Sequence, residues 1–277
     1  MTPLIYDIGL HKGEDSEFYL KKGFRVVGVD ADPDHCEYAR ARLAKFVASG
    51  QLTVVNVAIS DRSGTMTFYR SAKSDWGTVI QEWDADNRAR GYESEPITIR
   101  SATLADLVRE HGVPYFIKID IEGMDDAALA SLAGSPSLPK FISIEMPFPR
   151  ETSFRRTKSR IAALTGLGYD AFKIVPQHYV DRQVPPCPPL EGDYVDFRFE
   201  FGSSGLFGDE APGDWLSANA ASRRIWLTMI RHFPEGFLYK RQRLHGAYVD
   251  LREWLTGRPE AAYWYDIHAR RTASKSV

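Results

Sequence analysis

Leu4–Gly13, LIYDIGLHKG, is the stretch on which the reading of the fold turns. A short apolar run, Leu4, Ile5 and Tyr6, reaches Asp7, breaks into Gly9 and Gly13, and gives way to a helix-like segment over 14–22. Strand, glycine turn and helix in that order bring backbone N–H groups to a ligand at a helix N-terminus in α/β folds. An ordinary tight turn has the same composition, and D-x-G-x-x-x-G recurs by chance. The acid two places before the first glycine sorts the ligands. It repels a pyrophosphate and attracts the cationic amino-acid end of S-adenosylmethionine.

A second strand-like run, Phe24–Asp30 (FRVVGVD), ends in an acid about 20 residues past the glycine turn, where a ribose diol needs a bidentate acceptor. Asp32-Pro33 has the composition of an N-cap with proline at the first helical position, which leaves Asp30 the freer of the two for a ligand. A nicotinamide site would share Asp30 but carries G-x-G-x-x-G; here the spacing is G-x-x-x-G.

Strand-like and helix-like runs alternate through 4–175, the pattern of an open, mostly parallel sheet with helices on both faces. Strands are expected at 4–8, 25–29, 52–57, 116–120, 140–145 and 170–175, and helices at 14–22, 33–48, 103–111, 124–133 and 153–167. The segment 62–100 departs from the alternation. Thr65–Tyr69 and Ile97–Arg100 read as a β insertion introduced by the turn signal Asp61–Gly64. Beyond 175 the expectation is a C-terminal, largely helical elaboration, with helices near 215–232 and 248–256 and a last strand at either 194–201 or 263–268. The glycine-rich loop Gly202–Gly213 is the lid candidate. Aromatic residues after Trp215 either fill a core or cover the acceptor side, and the domain division expected is a core over 1–201 and an elaboration over 202–277.

Composition narrows the function classes. A chain of 277 residues with 43% hydrophobic and 26% charged residues is an ordinary globular protein. No run is apolar enough for membrane insertion, a signal peptide does not fit before the first strand, and two distant cysteines, Cys36 and Cys187, suit a reducing cytoplasm. A net charge of −2 gives no reason to expect nucleic acid. Charge is uneven: 223–275 holds 11 Lys+Arg against 5 Asp+Glu, leaving 24 against 32 elsewhere. A solvated helical surface balancing an acidic body accounts for this.

Phe116–Gly123 (FIKIDIEG) is the third informative segment. It reads as a strand whose carboxyl end carries Asp120 and Glu122, at the sheet edge where ligands bind in open parallel sheets. One of the two acids could cap the helix near Met124, which hardly explains both. The fifth strand, Phe141–Glu145, repeats the acidic ending.

With these residues in place, the chain resembles the FkbM family of S-adenosylmethionine-dependent methyltransferases, within the class I Rossmann-like group. The resemblance is carried by DIGLHKGEDSEFYLKKG at 7–23, VVGVDADP at 26–33, VAISDRSGTMTFY at 57–69, TLADL at 103–107 and FIKIDIEGMD at 116–125. It implies S-adenosylmethionine as cofactor and methyl transfer to an oxygen nucleophile, typically a hydroxyl of a saccharide, glycan or secondary metabolite. By matching position it implies Asp7, Gly9 and Gly13 around the methionine portion, Asp30 on the ribose, and Ser60 and Asp61 near the adenine. Asp120 and Glu122 would face donor and acceptor. Leu10, His11 and Lys12 stand where family members often carry small residues.

A hydroxyl nucleophile gains from a general base within hydrogen-bond reach. His11 and His178 are candidates by chemistry, Asp120 and Glu122 by position. A Mg²⁺ on Asp120, Glu122 and Glu145 is the minority alternative. The competing function classes are a nicotinamide-dependent oxidoreductase and a non-catalytic cofactor-binding partner in a biosynthetic complex. A homo-oligomer is compatible with all three.

Overall fold

A computed structural model describes residues 2–71, 77–89, 91–121, 123–146, 154–239, 251, 254 and 264–272. The chain divides into two compact units. The first holds Met1–Ile144, Val184–Phe197 and Gly208–Glu210, and the second holds Glu145–Gln183, Arg198–Phe207 and Ala211–Val277.

The first unit runs β1 (Leu4–Ile8), α1 (Glu14–Lys21), β2 (Arg25–Asp30), α2 (Pro33–Arg42), α3 (Ala44–Ala48), β3 (Leu52–Asn56), β4 (Ala58–Ile59), β5 (Gly64–Ser71), α4 (Gln81–Ala89), β6 (Ser94–Ala102), α5 (Leu104–His111), β7 (Phe116–Ile119), α6 (Asp125–Ser131) and β8 (Phe141–Met146). Its sheet has the order β3-β2-β1-β7-β8 with every pairing parallel. β1 is central, so all five of its residues are buried. The register sets Asp7 beside Gly28 on one side and Lys118 on the other.

Local signals explain the connections. Thr103 and Asp106 form a capping box at the start of α5, and the Tyr6 hydroxyl donates to Leu107 O and Gly112 O, both at 2.8 Å, at its end. Asp32 accepts from Asp34 N at 2.9 Å and so caps α2, as expected. The helix expected over 33–48 breaks at Leu43 into α2 and α3.

The β insertion is a second sheet, β4-β6-β5, in which β5 and β6 pair antiparallel around Ala58, Phe68 and Ile99. It carries a helix, α4, that periodicity did not reveal. QEWDADNRA has no continuous apolar stripe, and Asp84 is anchored instead by Arg88 at 2.8 Å and by Ser94.

The second unit contains α7 (Phe154–Gly166), β9 (Ala171–Pro176), α8 (Ala218–Tyr239) and β10 (Tyr265–Arg270). β10 pairs antiparallel with β9, so the last strand falls at the later of the two expected positions. Residues 194–201 belong to no strand: apolar alternation reports which side chains pack, and an extended segment can show it without a ladder. Within the second unit Ser203, Ser204, Leu206 and Phe207 are buried, and Leu206 N donates to Gln183 Oε1 at 2.8 Å. The helix expected at 248–256 lies largely outside the described residues. Among the described residues no helix is long and apolar enough to cross a membrane.

One face of the β9–β10 pair carries buried polar groups. Lys173 sits opposite His268, and Nε2 of His268 has no hydrogen-bond partner among the described residues. Burial, and then the Lys173 charge, push this imidazole down to about 3. An unfolded histidine takes up its proton near pH 6.5. Below that pH, and down to about 3, the unfolded chain therefore binds a proton that the folded chain refuses. Stability from this residue is complete above pH 6.5 and falls on acidification, by about 1.4 kcal/mol per pH unit within the window. His268→Leu is expected to flatten that acid slope in urea unfolding measured across the same range. An unchanged slope would remove His268 as its source.

Candidate active site at the ends of β1, β2 and β7

After Ile8 the chain turns sharply. Gly9 N and Leu10 N both donate to Val29 O, at 2.9 and 3.0 Å, and Gly13 N donates to Leu10 O at 2.9 Å. Gly9 and Gly13 have φ of +92° and +85°, and His11 between them is also left-handed at +49°. A Cβ on Gly9 would lie 1.9 Å from Asp120 O, so β1 and the end of β7 touch through bare backbone. Gly13 begins α1, whose first turn carries Glu14, Asp15 and Glu17.

Beneath this turn lies a charge cluster that sequence reading missed. Lys118, buried in β7, places Nζ 3.1 Å from Gly9 O, 3.2 Å from Asp7 Oδ1 and 3.2 Å from Asp15 Oδ2, with Asp120 Oδ2 at 4.0 Å. Ser16 Oγ donates to Asp7 Oδ2 at 2.7 Å. Burial pushes the Asp7 carboxyl up, against the pull of Lys118 and Ser16. Burial alone would lower the Lys118 ammonium, but Asp7, Asp15 and Asp120 outweigh it and hold the ammonium well above its ordinary value.

The Asp7 carboxylate is wholly buried, with one oxygen accepting from Ser16 and the other from Lys118, so it supports the turn from below. A strand covered on both faces has no outward side, and alternation could not show which way Asp7 or Lys118 points.

Asp30 ends β2 beside the turn. His11 N donates to its Oδ2 at 2.7 Å and Asp32 N to its Oδ1 at 2.8 Å. His35 Nδ1 lies 3.5 Å from Oδ1, and the His11 ring meets the His35 ring edge-on with centroids 4.5 Å apart. Burial works against protonation of His35, but the hydrogen bond and charge of Asp30 prevail and raise it. His11 Nδ1 is 3.5 Å from Glu14. Each Asp30 oxygen retains a second lone pair, so the carboxylate can still accept from a diol.

Asp120 follows β7, with its N donating to Ile8 O at 2.9 Å and its side chain 34% exposed. It does not cap α6, whose N-cap position is Met124 with no side-chain cap, and Ile121 N donates to Asp125 Oδ1 at 3.2 Å. Glu122 lies outside the described residues. Ile80 and Trp83 crowd Gly123, where a Cβ would fall 2.6 and 2.7 Å from their side chains, so the insertion walls the loop after β7. Ser60 follows β4, largely buried, and donates to Asp61 Oδ1 at 3.1 Å.

The structure thus brings Gly9, Gly13, His11, Asp30 and Asp120 to neighbouring strand ends of one parallel sheet, with Ser60 and Asp61 on the small sheet. His178 and Glu145 belong to the second unit. Among the described residues no group of three or more His, Cys, Asp or Glu side chains is placed to hold a metal ion.

The arrangement suits a donor with a diol and a cationic end. Glycine backbone stands at both ends of the turn, one carboxylate stands at β2 and a partly exposed one at β7. Residues 7–171 match the model described as the Methyltransferase FkbM domain. The ribosomal RNA small subunit methyltransferase H of Gemmatimonas aurantiaca is 32% identical over 108 residues, 37% of this chain and 34% of that protein. The chain therefore spans about a third of the length of that curated relative, 34%. An S-adenosylmethionine-dependent methyltransferase from Geobacter sulfurreducens, solved with S-adenosyl-L-homocysteine, is 14% identical. It covers 97% of this chain and 83% of its own, with a TM-score of 0.38. One from Thiobacillus denitrificans, also solved with S-adenosyl-L-homocysteine, is 14% identical over 99% of this chain and 86% of its own, with a TM-score of 0.38.

Proposed function

The chain belongs to the FkbM methyltransferase family, and from that premise we propose that it transfers the methyl group of S-adenosylmethionine to a hydroxyl oxygen of a saccharide, glycan or secondary metabolite. The observation that carries the reading is the convergence of the glycine turn, Asp30 and Asp120 on adjacent ends of β1, β2 and β7.

The bound donor supplies an activated methyl on a sulfonium, and the chain's own residues bind, orient and handle the proton. The turn Gly9–Gly13 receives the methionine portion, and Asp30 accepts from the ribose hydroxyls. Ser60 and Asp61 lie toward the adenine. Asp120 accepts a hydrogen bond from the incoming hydroxyl and takes its proton, with His11 and Glu122 as further candidates for that step. Ile80 and Trp83 restrict the space at Gly123 in the loop after β7. Free thiols at Cys36 and Cys187 support a cytoplasmic setting.

Calorimetry with S-adenosylhomocysteine and NADH separates this reading from the nicotinamide alternative, since binding of NADH alone would end it. Asp30→Ala is expected to weaken S-adenosylhomocysteine by roughly tenfold or more, the loss of charge-assisted hydrogen bonds. Unchanged affinity would reject the ribose assignment.

A further inference from the structure

We propose that the Lys118 cluster, acting through Asp120, makes the donor site distinguish a cationic donor from the neutral product that methyl transfer leaves behind. The inference rests on the donor site proposed above and adds a specificity role for Asp120.

Lys118 has three N–H donors, and three oxygens lie within 3.2 Å of Nζ, those of Gly9, Asp7 and Asp15. Asp120, at 4.0 Å, is the outermost of the three acids that share the ammonium, and its side chain is 34% exposed where Asp7 is fully buried. The buried acids take the shortest ion pairs with the ammonium, and Asp120 is the one of the three whose side chain reaches solvent. Its position is fixed. Asp120 N is bonded to Ile8 O at 2.9 Å, and its carbonyl packs where a Cβ on Gly9 would stand. A ligand lying along the glycine turn therefore passes this carboxylate.

Beside low-dielectric walls such a charge acts over several ångströms. Before transfer it attracts the sulfonium. During transfer the S–C bond breaks with its electron pair kept on sulfur, the O–C bond forms, and the hydroxyl proton passes to Asp120, which releases it to solvent and regains its charge before the next donor enters. The thioether that remains is neutral at sulfur, so the attraction that held the donor is gone. The same carboxylate thus favours donor entry and product exit.

The test is equilibrium binding by calorimetry with two probes, S-adenosylhomocysteine and sinefungin, which carries an amine where the donor has its sulfonium. The wild-type chain is expected to bind sinefungin about tenfold more tightly than S-adenosylhomocysteine. Asp120→Asn is expected to bring the two within about threefold, chiefly by weakening sinefungin, while Asp120→Glu retains the preference. A preference that survives Asp120→Asn, or its absence from the wild type, overturns the inference and leaves the donor site standing. Failure of both probes to bind the wild type overturns the donor site itself.

Discussion

Gly9→Ala is expected to abolish measurable S-adenosylhomocysteine binding, a loss of more than about a hundredfold by calorimetry. Two costs combine. The backbone at +92° is strained for any residue with a Cβ, by roughly 1–2 kcal/mol. The new methyl would also stand 1.9 Å from Asp120 O and 2.9 Å from Asp120 C, both backbone atoms that no rotamer change can move. The turn must therefore part from β7, drawing the Gly9 carbonyl off Lys118 and moving the turn away from the Asp120 carboxylate. Gly112→Ala is the control. Its φ is +98°, but nothing lies within 4 Å of a Cβ there, so it bears the strain alone and should leave binding intact. Equal behaviour of the two variants, or Gly9→Ala binding within threefold of wild type, would remove close approach as the reason for this glycine.

Lys22→Met carries the largest expected loss of stability, about 3–5 kcal/mol in urea unfolding. Lys22 and Glu210 are both wholly buried, with Nζ 3.1 Å from Glu210 Oε1 and 3.1 Å from Asp193 O. The same Oε1 accepts from Leu190 N and Glu191 N at 2.9 and 3.1 Å. Removing the ammonium leaves a buried carboxylate without its counter-charge, the costlier half of a broken ion pair. The double variant Lys22→Met, Glu210→Gln should recover part of the loss, because the amide keeps an oxygen for the two N–H groups and needs no cation. A single variant within 1 kcal/mol of wild type would show the pair to be dispensable.

The readable part of the fold was the part governed by local chemistry. β1 lies at Leu4–Ile8 as expected because an apolar run stops at glycine, and Asp32 caps α2 because Asp-Pro does so in most settings. The acids at 30 and 120 stand at strand ends because the alternation that defines a strand also marks where it stops. What remained hidden depends on residues distant in sequence. Lys118 reads as the polar partner in FIKID, yet its counter-charges come from Asp7 and Asp15, more than 100 positions earlier. The Asp7 orientation was unreadable for the same reason: only the neighbouring strand reveals which cation it meets. The 194–201 segment shows the converse, a strand-like pattern with no strand beside it.

The path of the chain has a consequence for its birth. The first unit includes Val184–Phe197 and Gly208–Glu210, so the polypeptide leaves that unit and returns to it twice. Lys22 emerges from the ribosome 188 residues ahead of the carboxylate that neutralises it. Until that carboxylate is made, the ammonium has no buried counter-charge and stays hydrated. The sheet of this unit is thus fully synthesised by Met146, while the ion pair that closes the unit waits until Glu210 clears the exit tunnel.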